Sequence, residues 1–326
     1  MTPPAHDDAR SPLGSGVALA PPAESPTATA APRGGSSSPS GCLLCGGTSR
    51  FWFARGDRHY ERCGVCGLLV VPQGVATDAS GVSIYESETS VFLADGNTGY
   101  YFDHETNLAN SRRKLALVEE HVTDGSSLMD AGANFGHFLS VAAGRYRARG
   151  FDLSPAAVAW GRAHFGVDAV VGSVYSPPPD GAPWDAITSW DVLEHLADPE
   201  AALFRLRELL RPRGWLFLST PDAGSRIARL LGRRWHYLDP VQHVTLFSRE
   251  SLRTLLERSG FDVVAARSLG HDYRLRYVAD RLCYLHSRGA TGALLRAARL
   301  LLRPLGGFTV YLNLGDVVAV AARRRE

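Results

Sequence analysis

Lysine is almost missing from this chain: it occurs once, at Lys114, and arginine supplies the rest of the 35 basic residues that face 33 acidic ones. This bias reflects codon usage and carries no functional weight by itself. The formal charge of only +2 gives no broad field for gathering nucleic acid, so partners must be argued from individual sites. A membrane-spanning run is lacking too. Arginines interrupt even the leucine-rich stretch from Leu294 to Leu302, which falls short of the ~18 to 20 unbroken apolar residues a bilayer requires. The N-terminus has Pro3, Pro4, Asp7 and Asp8 where a secretory leader would have positive charge and then an apolar core, so a cytoplasmic protein is expected. What is present is an apolar fraction of 45%, enough for an ordinary buried core.

Residues 1–40 are rich in Pro, Ala, Ser and Gly, with too little apolar surface to offset the entropy of ordering them, and a disordered leader is expected there. Residues 41–72 hold two cysteine pairs, residues 73–104 form a polar connector, and residues 105–326 alternate helix with strand. Leu108, Leu115, Val118 and Val122 share one helical face. Strands are predicted at 127–130, 146–152, 169–172, 185–190 and 215–220, and Ser154-Pro155 and Asp198-Pro199 each set a cap before a proline at the first helical position. Because each parallel crossover needs a helix to return the chain, this order predicts an α/β fold built on a doubly wound, seven-stranded, mostly parallel sheet. Its last two strands, 261–267 and 316–322, are expected as a terminal antiparallel pair, with a basic, leucine-rich helical insertion and lead-in over 268–315. Cys283 in that insertion reads as a small core residue.

Cys42 and Cys45 form one Cys-x-x-Cys pair, Cys63 and Cys66 another, and 17 residues separate them. That spacing brings two knuckles to one tetrahedral ion, and four thiolates leave no open position, so a structural Zn²⁺ in a small zinc-ribbon-like module is expected.

The strand at 127–130 runs into Ala131-Gly132-Ala133-Asn134-Phe135-Gly136 and then a helix. Gly132 admits close approach of backbone to a ligand, and Gly136 lets the helix start tight against the sheet. The spacing Asp-x-Gly-x-x-x-Gly is not the Gly-x-Gly-x-x-Gly of dinucleotide binding. Asp152 ends the next strand, where a carboxylate accepts the two ribose hydroxyls of a bound nucleoside.

Five stretches, 129–136, 150–155, 190–199, 210–221 and 247–261, occur in the order seen in class I S-adenosylmethionine-dependent methyltransferases. Residues from about 105 to 323 resemble that family, particularly its ubiquinone-type and sugar methyltransferases. The four-cysteine module is similar to the one found ahead of such domains in sugar C-methyltransferases. The resemblance implies that Asp130, Gly132 and Gly136 cradle the methionine part of S-adenosylmethionine, that Asp152 takes the ribose, and that Trp190 and Asp191 close the site. Asn134 stands where the family usually has a glycine, and Ser173 where it often has an acid, so the Ser173 hydroxyl and the Val174 N–H are expected at the adenine, with Leu153 against the ring.

Methyl transfer from a sulfonium is an in-line displacement in which the protein positions the acceptor and removes its proton. The segment after the fifth strand, 221–247, should cover the acceptor, and its His236 and His243 are the candidate bases. The expected acceptor is a small molecule, a sugar or natural-product intermediate, sugar-linked or lipid-linked, methylated on oxygen or carbon. No Asn-Pro-Pro-Tyr or Asp-Pro-Pro-Tyr follows the fourth strand, which disfavours methylation of a base amine, and nucleic acid is not expected as a partner. Two alternatives stand beside this: an RNA methyltransferase holding RNA through its zinc module, and a nicotinamide-dependent oxidoreductase on the same sheet topology.

Overall fold

The computed structural model describes residues 41–75, 103–279 and 306–326. The expected leader, most of the connector and the middle of the insertion, Cys283 included, lie outside the described residues.

All seven predicted strands form one sheet. They are β4 (Ser127–Ala131), β5 (Arg147–Asp152), β6 (Ala169–Val171), β7 (Trp184–Trp190), β8 (Leu210–Pro221), β10 (Phe261–Ser268) and β13 (Val317–Arg324). Their spatial order is β10-β13-β8-β7-β4-β5-β6. Strands β4 to β8 run parallel, and β13 slips antiparallel between β8 and β10, so the last strand of the chain is internal. Its continuous run Val317–Ala322 is buried throughout, as expected for a strand covered on both faces.

The period-two alternation of the strands decides which helices pack where. Leu128, Ala186, Phe217 and Ala319 face helices α1 (His104–Glu119) and α2 (His137–Ala142), meeting Leu115, Val118 and Phe138. Their neighbours Met129, Ile187, Leu218 and Val318 face the other way, onto Leu203 and Leu206 of α4 (Pro199–Leu209) and Leu252 and Leu255 of α5 (Arg249–Arg258). Each fully buried leucine of this kind contributes roughly 1.5–3 kcal/mol. The predicted caps form: Ser154 Oγ accepts from Ala157 N–H at 3.3 Å to open α3 (Pro155–Phe165), and Asp198 Oδ1 accepts from Ala201 N–H at 3.0 Å to open α4.

The cysteine module folds as strands β1 (Ser49–Arg55), β2 (Arg58–Cys63) and β3 (Leu69–Val70). Its sheet is completed from the far part of the chain by β9 (Thr245–Leu246), giving the order β1-β2-β3-β9. Tyr60, Leu69 and Val71 share a core with Trp235, Leu238, Val244 and Leu246, and the Tyr60 hydroxyl donates to the His243 carbonyl at 2.6 Å. Sequence spacing carried no sign of the β3–β9 pairing, because two-residue strands have no periodicity to read.

The helical reading of 268–315 is corrected at both ends of that segment. Strand β11 (His271–Arg274) pairs antiparallel with β12 (Thr309–Leu312), where Thr309, Val310 and Tyr311 are strand-favouring residues. Asp272 ties this ribbon to α1: its Oδ2 accepts from Arg113 Nε at 2.6 Å, and its backbone N–H donates to Asn110 Oδ1 at 2.7 Å.

Candidate functional site

The carboxyl ends of β4, β5 and β7 lie side by side, and the loop after β4 bends over them. Gly132 holds φ +84°, and a Cβ there would meet Val192 Cγ2 at 2.5 Å, so only glycine fits this bend. Asn134 also sits in the left-handed region, at φ +48°. Asparagine tolerates that conformation better than bulkier residues, so a residue other than glycine can stand here. Gly136 takes φ +76° directly before α2, and a Cβ there would press on Val167 Cγ2 at 2.9 Å.

Asp152 fastens this loop. Its Oδ2 accepts from the Asn134 N–H at 2.7 Å and its Oδ1 from the Ser154 N–H at 2.9 Å. The two bonds use about half of the lone-pair positions of a carboxylate, so capacity remains for a ligand's hydroxyls. Burial pushes Asp152 above the usual carboxylate range, with those backbone donors acting in the opposite sense. Asp130 is deeper still, 1% exposed, and accepts from Thr188 Oγ1 at 2.7 Å. Burial raises its pKa to about 7. Leu153 is half-buried beside Asp152, Val174 is buried, and the Ser173 Oγ accepts from the Tyr175 N–H at 3.2 Å.

At the end of β7, Trp190 is buried and Asp191 takes φ +57°. Asp191 receives Lys114 Nζ at 2.8 Å and Ser219 Oγ at 2.6 Å. Burial works against its charge, yet Lys114, His271 and these hydrogen bonds hold it well below the usual carboxylate range. Lys114 and His271 were not singled out from sequence. The one available signal was Lys114 itself, the only lysine, set among leucines on the inner part of α1.

The two candidate bases are placed differently. His236 Nε2 lies 3.6 Å from Asp316 Oδ2, in a small cavity that Tyr237, His271 and Tyr273 also line. His243 Nδ1 bonds the Tyr237 carbonyl at 2.8 Å, and its ring lies 5.0 Å from that of His195. His195 Nδ1 in turn bonds the Gln242 carbonyl at 2.9 Å, and buried Glu194 accepts from Thr220 Oγ1 at 2.9 Å. Burial raises Glu194 to about 8, with Asp191 adding to it, while burial and His243 lower His195 to about 3. Tyr237 stands between the two histidines, its ring 4.3 Å from His236 and 5.8 Å from His243.

The four cysteines converge, with every Sγ within 4.8 Å of the others. Cys42 pairs with Cys66 at 3.6 Å and Cys45 with Cys63 at 3.4 Å, far beyond a disulfide bond and near the ~3.8 Å edge of a tetrahedron with 2.3 Å metal–sulfur bonds. The two knuckles repeat one backbone pattern. Gly46 donates to the Cys42 carbonyl and Gly67 to the Cys63 carbonyl, both glycines in the left-handed region. Burial opposes a thiolate at Cys63, but N–H groups of Cys66 and Val65 aim at its sulfur and bring it down to about 6. This donor set fits a zinc ion.

A family model described as a methyltransferase domain matches residues 102–266, a span that contains the glycine loop, Asp152, Asp191 and both candidate bases. A ubiquinone biosynthesis O-methyltransferase of Xanthomonas axonopodis pv. citri (strain 306) is 31% identical over 186 residues, covering 49% of this chain and 76% of that protein. An uncharacterized 37.1 kDa transposon protein of Streptomyces fradiae is 26% identical over 193 residues, and the chain spans about half of its length, 55%. Among solved structures, a chain of the complex between the Haloferax volcanii Trm112 methyltransferase activator and a methyltransferase shares the fold. Its TM-score is 0.50 at 20% identity, covering 73% of this chain and 98% of that one. The chain belongs to the methyltransferase-domain family.

Proposed function

We propose that the protein transfers a methyl group from S-adenosylmethionine to a small-molecule acceptor, a sugar or natural-product intermediate methylated on oxygen or carbon. The observation that carries this reading is the hydrogen bond from the Asn134 N–H to Asp152, which locks the glycine loop against the acid of the next strand. When bound, S-adenosylmethionine supplies an electrophilic methyl on a sulfonium. Asp152 holds the ribose hydroxyls, Leu153, Ser173 and Val174 take the adenine, and Asp130 with Gly132, Asn134 and Gly136 takes the methionine end. Trp190 and Asp191 close the site beside it. His236, oriented by Asp316, removes the acceptor proton. His243, packed on His195, positions the covering segment.

Residues 41–72 serve as a structural zinc module through Cys42, Cys45, Cys63 and Cys66. Because its sheet takes in β9, the module braces the segment that carries His236 and His243. The nicotinamide alternative loses its support to the family match and to the internal antiparallel β13. Among the described residues no helix is long and apolar enough to cross a membrane.

Incubation with methyl-labelled S-adenosylmethionine and a panel of sugar, polyketide and phenol acceptors tests the reading. Label should move to one acceptor class and His236→Asn should slow the transfer about 100-fold or more, the usual worth of a general base. Transfer to none of them, or full activity in His236→Asn, contradicts it.

A further inference from the structure

The ribbon of β11 and β12 stands apart from the other two sheets, and the two faces of β11 are used differently. Asp272 and Arg274 turn toward α1, where Arg113 Nε meets Asp272 Oδ2 at 2.6 Å and Arg274 Nε donates to Asp103 Oδ2 at 2.8 Å. The alternate residues His271 and Tyr273 point the other way, into a cavity of about 20 Å³ that His236, Tyr237 and Asp316 also line. That volume holds one water or one hydroxyl. His271 is only 7% exposed, and among the described residues its ring makes no hydrogen bond, packing instead with its centre 5.9 Å from that of Tyr273. A buried imidazole without partners costs stability, so its presence here points to a partner that a ligand supplies. His271 and Asp191 lie within reach of each other's charge, which puts His271 on the cofactor side of the cavity, whereas the His236 side chain is 26% exposed and reaches solvent.

We propose that His271 is a second catalytic histidine, the inner member of a relay in which it takes the acceptor's hydroxyl proton and passes one on to His236 across the cavity. This rests on the function proposed above and makes the proton removal assigned to His236 run through His271. The acceptor O–H bond breaks as its proton goes to one ring nitrogen of His271, and the freed electron pair forms the bond to the methyl carbon as the carbon–sulfur bond breaks toward sulfur. The other ring nitrogen of His271 then gives its proton, through one water in the cavity, to His236, which exchanges with solvent. The charged and titratable groups around His271 are Asp191, Lys114, Asp316, Asp272 and Tyr273, with His236 and Tyr237 across the cavity. Burial holds the His271 pKa down, so the ring is neutral and able to accept at neutral pH. Asp191 and Asp316 favour the imidazolium once it forms, against Lys114. Asp316, fixed by Trp235 Nε1 at 3.0 Å, does the same for His236.

The test is NMR on the full zinc-loaded chain, labelled with nitrogen-15 histidine and bound to S-adenosylhomocysteine, with the His271 signal assigned by its loss in His271→Phe. Exchange of the His271 ring N–H with water should slow about tenfold or more in His236→Asn, because the exit is gone. In the wild type that exchange rate should bend at the pH where His236 titrates. An unchanged rate in His236→Asn, or a faster one as from a loosened pocket, overturns the proposal, and so does a wild-type rate indifferent to the His236 titration. With the acceptor that takes label in the panel above, His271→Phe should lower kcat about 100-fold or more, with KM and S-adenosylhomocysteine affinity unchanged. His271→Gln keeps hydrogen bonding but cannot take a proton, so it should be as slow as His271→Phe. Recovered kcat in His271→Gln would make His271 a structural group and overturns the proposal. Failure of S-adenosylhomocysteine to bind would sink the methyltransferase reading separately, leaving the exchange rates of the unliganded chain to decide the relay.

Discussion

Asp130→Asn should make the protein more stable at alkaline pH while weakening its hold on S-adenosylmethionine. Asp130 is 1% exposed, and burial lifts its pKa from 3.8 to about 7. The folded state therefore holds a proton that the unfolded state has lost between about pH 4 and 7, and stability falls as pH rises through that window. A displacement of about three units is worth up to about 4 kcal/mol by pH 8, at roughly 1.4 kcal/mol per unit. Asparagine has the same shape and keeps an oxygen to accept from Thr188 Oγ1, so the variant avoids that loss and leaves no cavity. Urea unfolding at pH 4, 5, 6 and 8 should show wild type and variant nearly converging at pH 4 and separating by about 2–4 kcal/mol at pH 8. Binding should move oppositely. A cationic methionine moiety beside Asp130 draws it back to carboxylate, so wild-type affinity should drop about tenfold per unit below about pH 7, and the variant should show no such slope. Parallel stability profiles for the two proteins would refute the argument.

Lys114→Met removes the partner of Asp191, whose side chain remains 35% exposed. A cost of about 1–3 kcal/mol follows, between that of an exposed pair and a buried one. Because Asp191 is held below its ordinary value, the gap should be full at neutral pH and shrink as the carboxylate protonates, which acid-side thermal melts would check. Gly132→Ala places a Cβ 2.5 Å from Val192 Cγ2 at φ +84°, and should destabilise by about 1–3 kcal/mol and abolish cofactor binding. Chelation should strip one zinc per chain and raise amide exchange at Val71, which donates to the Val244 carbonyl, as well as within the knuckles. Exchange confined to 41–67 would contradict the shared sheet.

The sheet was legible in the sequence because its strands are long, apolar and flanked by cap residues such as Ser154-Pro155 and Asp198-Pro199. The glycine loop was legible because left-handed backbone leaves a mark in residue type at Gly132, Asn134 and Gly136. Other features arise only when distant segments meet. Lys114 on α1 and Asp191 after β7 are 77 positions apart, and nothing local marks them as partners. His236 and His243, read as equivalent from sequence, differ in the fold, one beside Asp316 and the other packed against His195.

Titrating S-adenosylmethionine into the wild-type chain and into Asp152→Ala by calorimetry tests the central claim most directly. The account predicts one site per chain, and a loss of about 2 kcal/mol or more in the variant, through the ribose bonds and the freed Asn134 loop. No binding to the wild-type protein, or equal affinity in both, would contradict it.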